Sequence, residues 1–243
     1  MFFSKKPNRE VYNTPLWRSI NPIDRAHILL VAEKIKPAAY CGFTDLEGAK
    51  EYLAQELNVF IVQMRGHRTY ERGDETLVFP HRIFTICASQ KIFQIYQKLS
   101  EVSNLDRAYD VEGKLLGYPR CCRKEYIRPT YQEKFNQYIL RLIRGKLYTF
   151  KIECVQRYLE GKEIQKEFLY LMPTQTPHSV DCSSSIGLLS KWKYAIDGFD
   201  PKAAKALVAF NQVSFNKFKE QADYLKSKGV ASEQFNRGYI FNK

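Results

Sequence analysis

The sequence predicts a mixed α/β protein of the α+β type, with a small sheet in the first half and a helix-rich second half. Runs of Val, Ile, Phe and Thr, which are typical of strands, lie within the first hundred residues. Apolar residues at helical spacing dominate from Tyr126 onward. The 243 residues are 44% hydrophobic and 26% charged, a composition that buries an ordinary core and excludes a disordered or collagen-like chain.

Local signals predict the elements of the first half in chain order. Asn21 and Pro22 are the N-cap and the first residue of a predicted helix that continues over Ile23–Ile35. Ala38–Cys41 is predicted to be a strand, and the spacing of apolar residues over Asp45–Leu57 predicts an amphipathic helix.

A hairpin is predicted next, from the strand-like runs Val59–Met64 and Thr76–Ala88. The polar stretch Gly66–Glu75 predicts its turn, and Pro80 predicts an interruption of the second strand. Lys91–Val102 carries apolar residues on one face and predicts a helix that follows the hairpin.

The second half is predicted to be helical. Two apolar stripes end at Gly145 and Gly161, where a left-handed C-cap is expected, and together they predict a helical hairpin. Further helices are predicted over Ser183–Ala195 and, after the Asp200-Pro201 start signal, over Pro201–Lys228. We expect two lobes, 1–113 and 114–243, within one compact unit.

Positive charge is concentrated in the centre of the chain. The sequence holds 38 Lys and Arg against 26 Asp and Glu, and residues 114–166 alone hold 13 against 5. Such a field attracts anions, so we expect nucleic acid, RNA before DNA, or another anionic ligand as a partner. Solubility is the alternative explanation. The predicted phosphate-binding residues are Arg120, Arg123, Lys124, Arg141, Arg144 and Arg157.

Targeting signals and cysteine usage predict a cytoplasmic protein with reduced thiols. No apolar run reaches the roughly 18 residues of a membrane span, and Met1–Glu10 lacks a signal-peptide core. Cys41, Cys87 and Cys154 lie in apolar surroundings and are predicted to be small core residues. The three remaining cysteines are Cys121, Cys122 and Cys182.

Cys121 and Cys122 follow a Gly-Tyr-Pro turn that predicts the start of a helix, with Pro119 at its first position. Free backbone N–H groups in a first helical turn favour thiolates, and three neighbouring basic residues act in the same direction. A thiolate is both a better metal ligand and a better nucleophile than a thiol. The neighbouring basic residues are Arg120, Arg123 and Lys124.

His178 and Cys182 form a second cluster, four residues apart, before a predicted helix whose N-cap is expected at Asp181 or Ser183. If both clusters meet, Cys121 or Cys122 joins His178 and Cys182 around one zinc or iron ion. The alternative is that these cysteines are merely packed, because adjacent cysteines point in different directions and no C-x-x-C pair is present.

These residues resemble a mainly archaeal family classed as a domain of unknown function, which carries a Gly-Tyr-Pro-x-Cys-Cys turn and a later His-x-Pro-Cys-Ser-x-x-Cys element. The chain departs from that pattern at Asp181, at the spacing from His178 to Cys182, and at Ser185, where the family has cysteine. The resemblance implies a shared Cys/His element and no particular activity. The matching positions are Gly117, Tyr118, Pro119, Cys121, Cys122, His178, Cys182 and Ser183.

Three functions are compatible with these features. In an enzyme acting on an anionic substrate, Cys121 and Cys122 are ligands or nucleophiles, His178 is a ligand or general base, and Cys182 is a ligand. In a nucleic-acid-binding module, any metal is structural. The third function is that of a structural or interaction protein. The sequence lacks GxGxxG, Walker, G-x-S-x-G and H-E-x-x-H signatures, which leaves the common nucleotide and hydrolase chemistries without support.

Overall fold

The computed structural model of the chain describes residues 6–72, 75–101, 105–127, 150–172 and 177–232. Over these residues the fold is mixed α+β and helix-rich, as predicted. None of the helices in the described part of the chain combines the length and apolarity that crossing a bilayer needs. The helices, numbered in chain order, are α1 (Pro15–Ser19), α2 (Pro22–Ala32), α3 (Lys50–Leu57), α4 (Gln90–Gln97), α5 (Leu105–Leu115), α6 (Arg120–Ile127), α7 (residues 150–159), α8 (Ser183–Phe199) and α9 (Pro201–Ser227).

The chain divides into two units. Unit 1 comprises Met1–Gly117 and Tyr194–Ala206, and unit 2 comprises Tyr118–Lys193 and Leu207–Lys243. The predicted boundary between residues 113 and 114 lies just before the break at Gly117. Residues 194–206, which the sequence assigned to the second lobe, belong to unit 1.

Three antiparallel strands form the sheet of unit 1: β1 (Ala38–Cys41), β2 (Phe60–Arg72) and β3 (Glu75–Cys87), with β3 in the centre. The predicted turn over Gly66–Glu75 is wrong, because pairing of β2 with β3 continues to Arg72 opposite Glu75. Main-chain hydrogen bonds extend such a ribbon whatever the apolar pattern. The interruption predicted at Pro80 is also wrong, since Pro80 lies within β3.

The predicted helices of unit 1 are present with altered bounds. The Asn21 side chain caps α2 by accepting a hydrogen bond from the backbone N–H of Ile23, 2.9 Å away. Helix α3 begins at Lys50 instead of Asp45, because the Asp45 carboxylate accepts from the Glu47 N–H at 3.0 Å and holds a turn there. The helix predicted over Lys91–Val102 divides into α4 and a 3-10 turn, Lys98–Glu101.

Buried carboxylates organise the core of unit 1. Asp24 in α2 accepts hydrogen bonds from three consecutive backbone N–H groups, at positions 42–44, over 2.7 to 3.1 Å. Asp200, which precedes α9, accepts from the Trp17 indole at 2.8 Å and lies 3.3 Å from the Arg25 guanidinium. Each carboxylate therefore joins segments that are distant in sequence.

Helices α7 and α9 form one core of unit 2, through Ile152 and Val155 on α7 and Ala222 and Leu225 on α9. Helix α7 ends as predicted at Gly161, which has a φ of +74°. The Gly161 and Lys162 N–H groups donate to carbonyls of the last helical turn at 3.1 and 2.8 Å, the pattern of a Schellman motif. The stripe predicted to end at Gly145 lies outside the described residues.

Candidate metal centre

Helix α6 presents the adjacent cysteines in its first turn, as the sequence predicts. The Pro119 carbonyl accepts the first intrahelical bond, from the Arg123 N–H at 3.0 Å, so the helix begins at Arg120, one residue later than predicted. Cys121 and Cys122 follow as the second and third helical residues. The chain reaches this turn through Gly117, whose φ of +79° is accessible to glycine without strain.

Cys182 is the N-cap of α8. Its carbonyl accepts from the Ile186 N–H at 3.0 Å, and its Sγ accepts from the Ser185 N–H at 3.4 Å. The sequence predicted Asp181 or Ser183 as the cap because their oxygens are stronger acceptors. Their placement is wrong by one residue, and a sulfur atom holds the capping position instead.

Helix α7 anchors the loop that carries His178 and Cys182. The Val180 N–H donates to Glu153 Oε2 at 2.8 Å, and Asp181 forms an ion pair with Arg157. Glu153 and Arg157 are one helical turn apart, so both contacts come from the same side of α7. The loop is therefore fixed at the two residues immediately before Cys182.

Both clusters meet, and all four side chains take part. Cys182 Sγ lies 3.7 Å from Cys121 Sγ and 3.7 Å from Cys122 Sγ. Cys122 Sγ lies 3.3 Å from His178 Nδ1. The four ligand atoms are all within 4.8 Å of one another, so this Cys3His cluster could hold a metal ion. Starting at adjacent positions does not prevent Cys121 and Cys122 from reaching a common point.

The two adjacent thiols have different environments. Burial raises the pKa of Cys122 to about 12, against the opposite effect of its contacts with Ser185 and His178. At Cys121, burial acts in the same direction but is outweighed by hydrogen bonds with Ser184, Cys182 and Cys122, so the pKa is lowered. A bound cation would favour the thiolate form at both positions.

Ser185 also contacts the sulfur atoms, although the sequence did not predict this contact. Ser185 Oγ lies 3.1 Å from Cys122 Sγ, and Ser185 is buried. Two signals in the sequence point to Ser185: it lies three residues after Cys182, the spacing of a capping interaction, and it stands where the resembled family has cysteine. Nothing in the sequence indicates the contacts of Glu153 and Arg157 with the loop, because they join distant segments.

The predicted phosphate-binding residues occupy different environments. Arg120 and Lys124 are exposed on α6, whereas Arg123 is half-buried and donates to the Tyr118 carbonyl at 3.2 Å. Arg157 is engaged with Asp181. Arg141 and Arg144 lie outside the described residues. A role in phosphate binding stays a prediction for all six.

The other three cysteines are core residues, as predicted. Cys41, Cys87 and Cys154 are fully buried, and none of them joins the Cys3His cluster. Comparison with family models, curated proteins and solved structures found no match to this chain. The resemblance to a domain of unknown function therefore remains a prediction.

Proposed function

We propose that Cys121, Cys122, His178 and Cys182 bind one zinc ion, and that this ion stabilises unit 2 as a nucleic-acid-binding module. The observation that carries the zinc site is the spacing of its ligand atoms. With Zn–S near 2.3 Å and Zn–N near 2.0–2.1 Å, a tetrahedron places two sulfurs about 3.8 Å apart and sulfur and nitrogen about 3.5 Å apart. Three of the six distances among the ligand atoms here are 3.7, 3.7 and 3.3 Å, and the others are no longer than 4.8 Å.

The donor set supports zinc. Three thiolates and one imidazole are a common ligand set of structural zinc. Three thiolates around Zn²⁺ leave one net negative charge, which the N-termini of α6 and α8 offset through their dipoles. The Ser185 N–H, which donates to Cys182 Sγ, adds to this effect. Mononuclear iron accepts the same ligands, so metal analysis decides between the two.

Four protein ligands favour a structural role over a catalytic one. A catalytic zinc keeps a coordination position open for water or substrate, whereas a structural zinc is closed by four side chains. The ligands come from α6, from the 177–182 loop and from the N-cap of α8, so one ion would join all three. The nucleophilic and general-base roles predicted for Cys121, Cys122 and His178 give way to ligand roles in this proposal.

Metal analysis tests the zinc site. We expect protein purified without chelator to contain one zinc per chain, and Cys182→Ala to lose it. Cys154→Ala is the matched control, because Cys154 is also buried in unit 2 but lies outside the cluster. Cobalt substitution should give the visible bands of a tetrahedral thiolate site. Zinc retained by Cys182→Ala, or iron in place of zinc, would contradict the proposal.

The charge of the chain supports nucleic acid as the partner of unit 2. Residues 114–166, which belong to unit 2 from Tyr118 onward, carry 13 basic against 5 acidic side chains, and phosphate contacts make binding strongly dependent on salt. We expect a fluorescent single-stranded RNA to bind at about 50 mM salt and to lose most of its affinity near 200 mM. Charge reversal at Arg141 and Arg144 should reduce that salt dependence. A zinc-loaded chain that ignores RNA and DNA at low salt would contradict this part alone.

A further inference from the structure

A cleft of about 490 Å³ lies in unit 2 between the segment that follows α7 and the second half of α9. Four lysines line it, and we call it the lysine cleft: Lys162, Lys166, Lys219 and Lys226. None of these lysines is among the residues that the sequence predicts to bind phosphate. Its volume lies in the range of cavities that hold a ligand the size of a nucleotide, and is far larger than a single ion requires.

Defined contacts shape both walls of the lysine cleft. Lys226 Nζ donates to the Tyr158 carbonyl at 2.7 Å, which ties α9 to the last turn of α7. The left-handed Gly161 then turns the chain, so that Lys162 and Lys166 follow on the opposite wall. Packing of α7 against α9 holds the two walls together.

Positive charge exceeds negative charge along the lysine cleft. Glu163 and Asp223 also line it, so four lysines against two acids leave a net charge of two. Lys162 forms a surface ion pair with Glu160 at 2.7 Å. Within the described part of the chain, Lys166 and Lys219 have no ion-pair partner, and both are exposed. These two ammonium groups, one on each wall, are therefore available to an anionic ligand.

We propose that the lysine cleft binds the phosphate backbone of a single-stranded nucleic acid. The half-buried Tyr158 also lines the cleft, so an aromatic ring lies beside the lysines, and single strands favour grooves that combine cationic and aromatic side chains. The net charge of +12 on the whole chain favours a polyanion over an acidic peptide of mixed composition. The proposal rests on nucleic-acid binding by unit 2, and it assigns that binding to a surface.

The test compares two double variants in binding a fluorescent single-stranded oligonucleotide. Lys166→Gln with Lys219→Gln removes two cleft charges, and Lys191→Gln with Lys217→Gln removes two exposed charges elsewhere in unit 2. We expect the cleft variant to bind at least tenfold more weakly at low salt. Its log–log salt slope should fall by about 1.4, at roughly 0.7 per lost phosphate contact. The control variant should bind like the wild type, and both variants should keep their metal content.

Four outcomes would overturn the proposal. Wild-type affinity in the cleft variant would remove the lysine cleft from the interface and leave nucleic-acid binding by unit 2 intact. Equal losses in both double variants would show a diffuse field instead of a site. Displacement of the oligonucleotide by polyglutamate as readily as by unlabelled oligonucleotide would identify an acidic polypeptide as the occupant. A wild-type chain that binds no nucleic acid overturns both this proposal and the one it rests on.

Discussion

Unit 1 and unit 2 bury ionisable side chains in different ways. In unit 1, Asp24 and Asp200 are surrounded by hydrogen-bond donors of the chain itself. Lys36 is fully buried there, and burial lowers its pKa to about 7, so the neutral amine is populated near neutral pH. In unit 2, three thiols and one imidazole face one another.

The difference shows what each unit needs in order to be stable. A carboxylate that accepts several N–H bonds is satisfied by the protein, and a buried lysine is accommodated when it loses its proton. Thiols are weak hydrogen-bond donors and acceptors. The three thiols and the imidazole of the Cys3His cluster therefore stabilise one another only weakly through hydrogen bonds. A cation would convert their contacts into coordination bonds. Stability should therefore depend on pH in unit 1 and on metal in unit 2.

Of the changes considered, removal of the metal should lower the free energy of unfolding most, and it should do so in unit 2. Metal binding to a site that exists only in the folded state contributes directly to folding free energy, so we expect a loss on the order of 5 kcal/mol, or roughly 10–20 °C in melting temperature. The chain has two tryptophans, Trp17 in unit 1 and Trp192 in unit 2. In a Trp17→Phe background, the fluorescence of Trp192 should report the shift when a chelator is added.

The reciprocal background provides the control. In Trp192→Phe, the transition reported by Trp17 should move little with chelator, because the ligands all belong to unit 2. A Trp192 transition that is indifferent to chelator would remove the stabilising role of the metal. Equal shifts of both tryptophans would show that the metal does not stabilise unit 2 selectively.

Lys36→Met should change how the stability of unit 1 depends on pH. Between pH 7 and about 10.5 the unfolded chain keeps a proton that folded Lys36 has lost, so the stability of unit 1 rises with pH over this window. Methionine carries no ionisable group, so the variant avoids the free-energy cost of burying or deprotonating a lysine. We therefore expect Lys36→Met to gain about 2–4 kcal/mol near pH 6 and to lose that advantage by about pH 10.5.

Urea titrations followed through Trp17 at several pH values measure this effect. Lys50→Met, a change at a lysine of α3 that forms a surface ion pair with Glu51, serves as the control and should leave the pH dependence unchanged. Parallel stability curves for the wild type and Lys36→Met would show that the buried amine does not set the pH response of unit 1.

Local chemistry explains which parts of the fold could be predicted from the sequence. Asn21 before Pro22 and Asp200 before Pro201 place the starts of α2 and α9 correctly, because a cap and the helix it begins are adjacent in sequence. The long hairpin was misjudged because the pairing of β2 with β3 depends on main-chain contacts between segments and not on an apolar pattern.

In the candidate site, too, local features were predictable from the sequence and contacts between distant segments were not. The residue types in the two clusters predicted a shared Cys/His site, and the structure brings those residues together. The sequence named both Cys121 and Cys122 as candidate ligands, but it could not decide whether one or both contribute, because this depends on where α6 begins relative to α8. It also could not indicate the support from Glu153 and Arg157, or the lysine cleft, whose walls are some 50 residues apart.

The smallest effect that we expect is on zinc affinity, from loss of the contact between α7 and the 177–182 loop. Glu153→Ala removes the acceptor of the Val180 N–H, two residues before Cys182, while leaving every ligand in place. Residues that orient ligands typically change metal affinity 10–100-fold, and we expect the lower end of that range because the Arg157–Asp181 ion pair still holds the loop. Competition with a chelator of known affinity should therefore give a zinc Kd about tenfold weaker than that of the wild type.

The conservative variant separates support of the loop from a general effect of charge. Glu153→Gln keeps an oxygen that can accept from Val180 and removes the negative charge, so it should retain most of the affinity. Glu160→Ala removes an exposed carboxylate that pairs with Lys162 just after α7, and should leave the Kd unchanged. If Glu153→Ala binds zinc like the wild type, the loop is held in place without α7. If Glu153→Gln is as weak as Glu153→Ala, the charge of Glu153 matters more than its hydrogen bond.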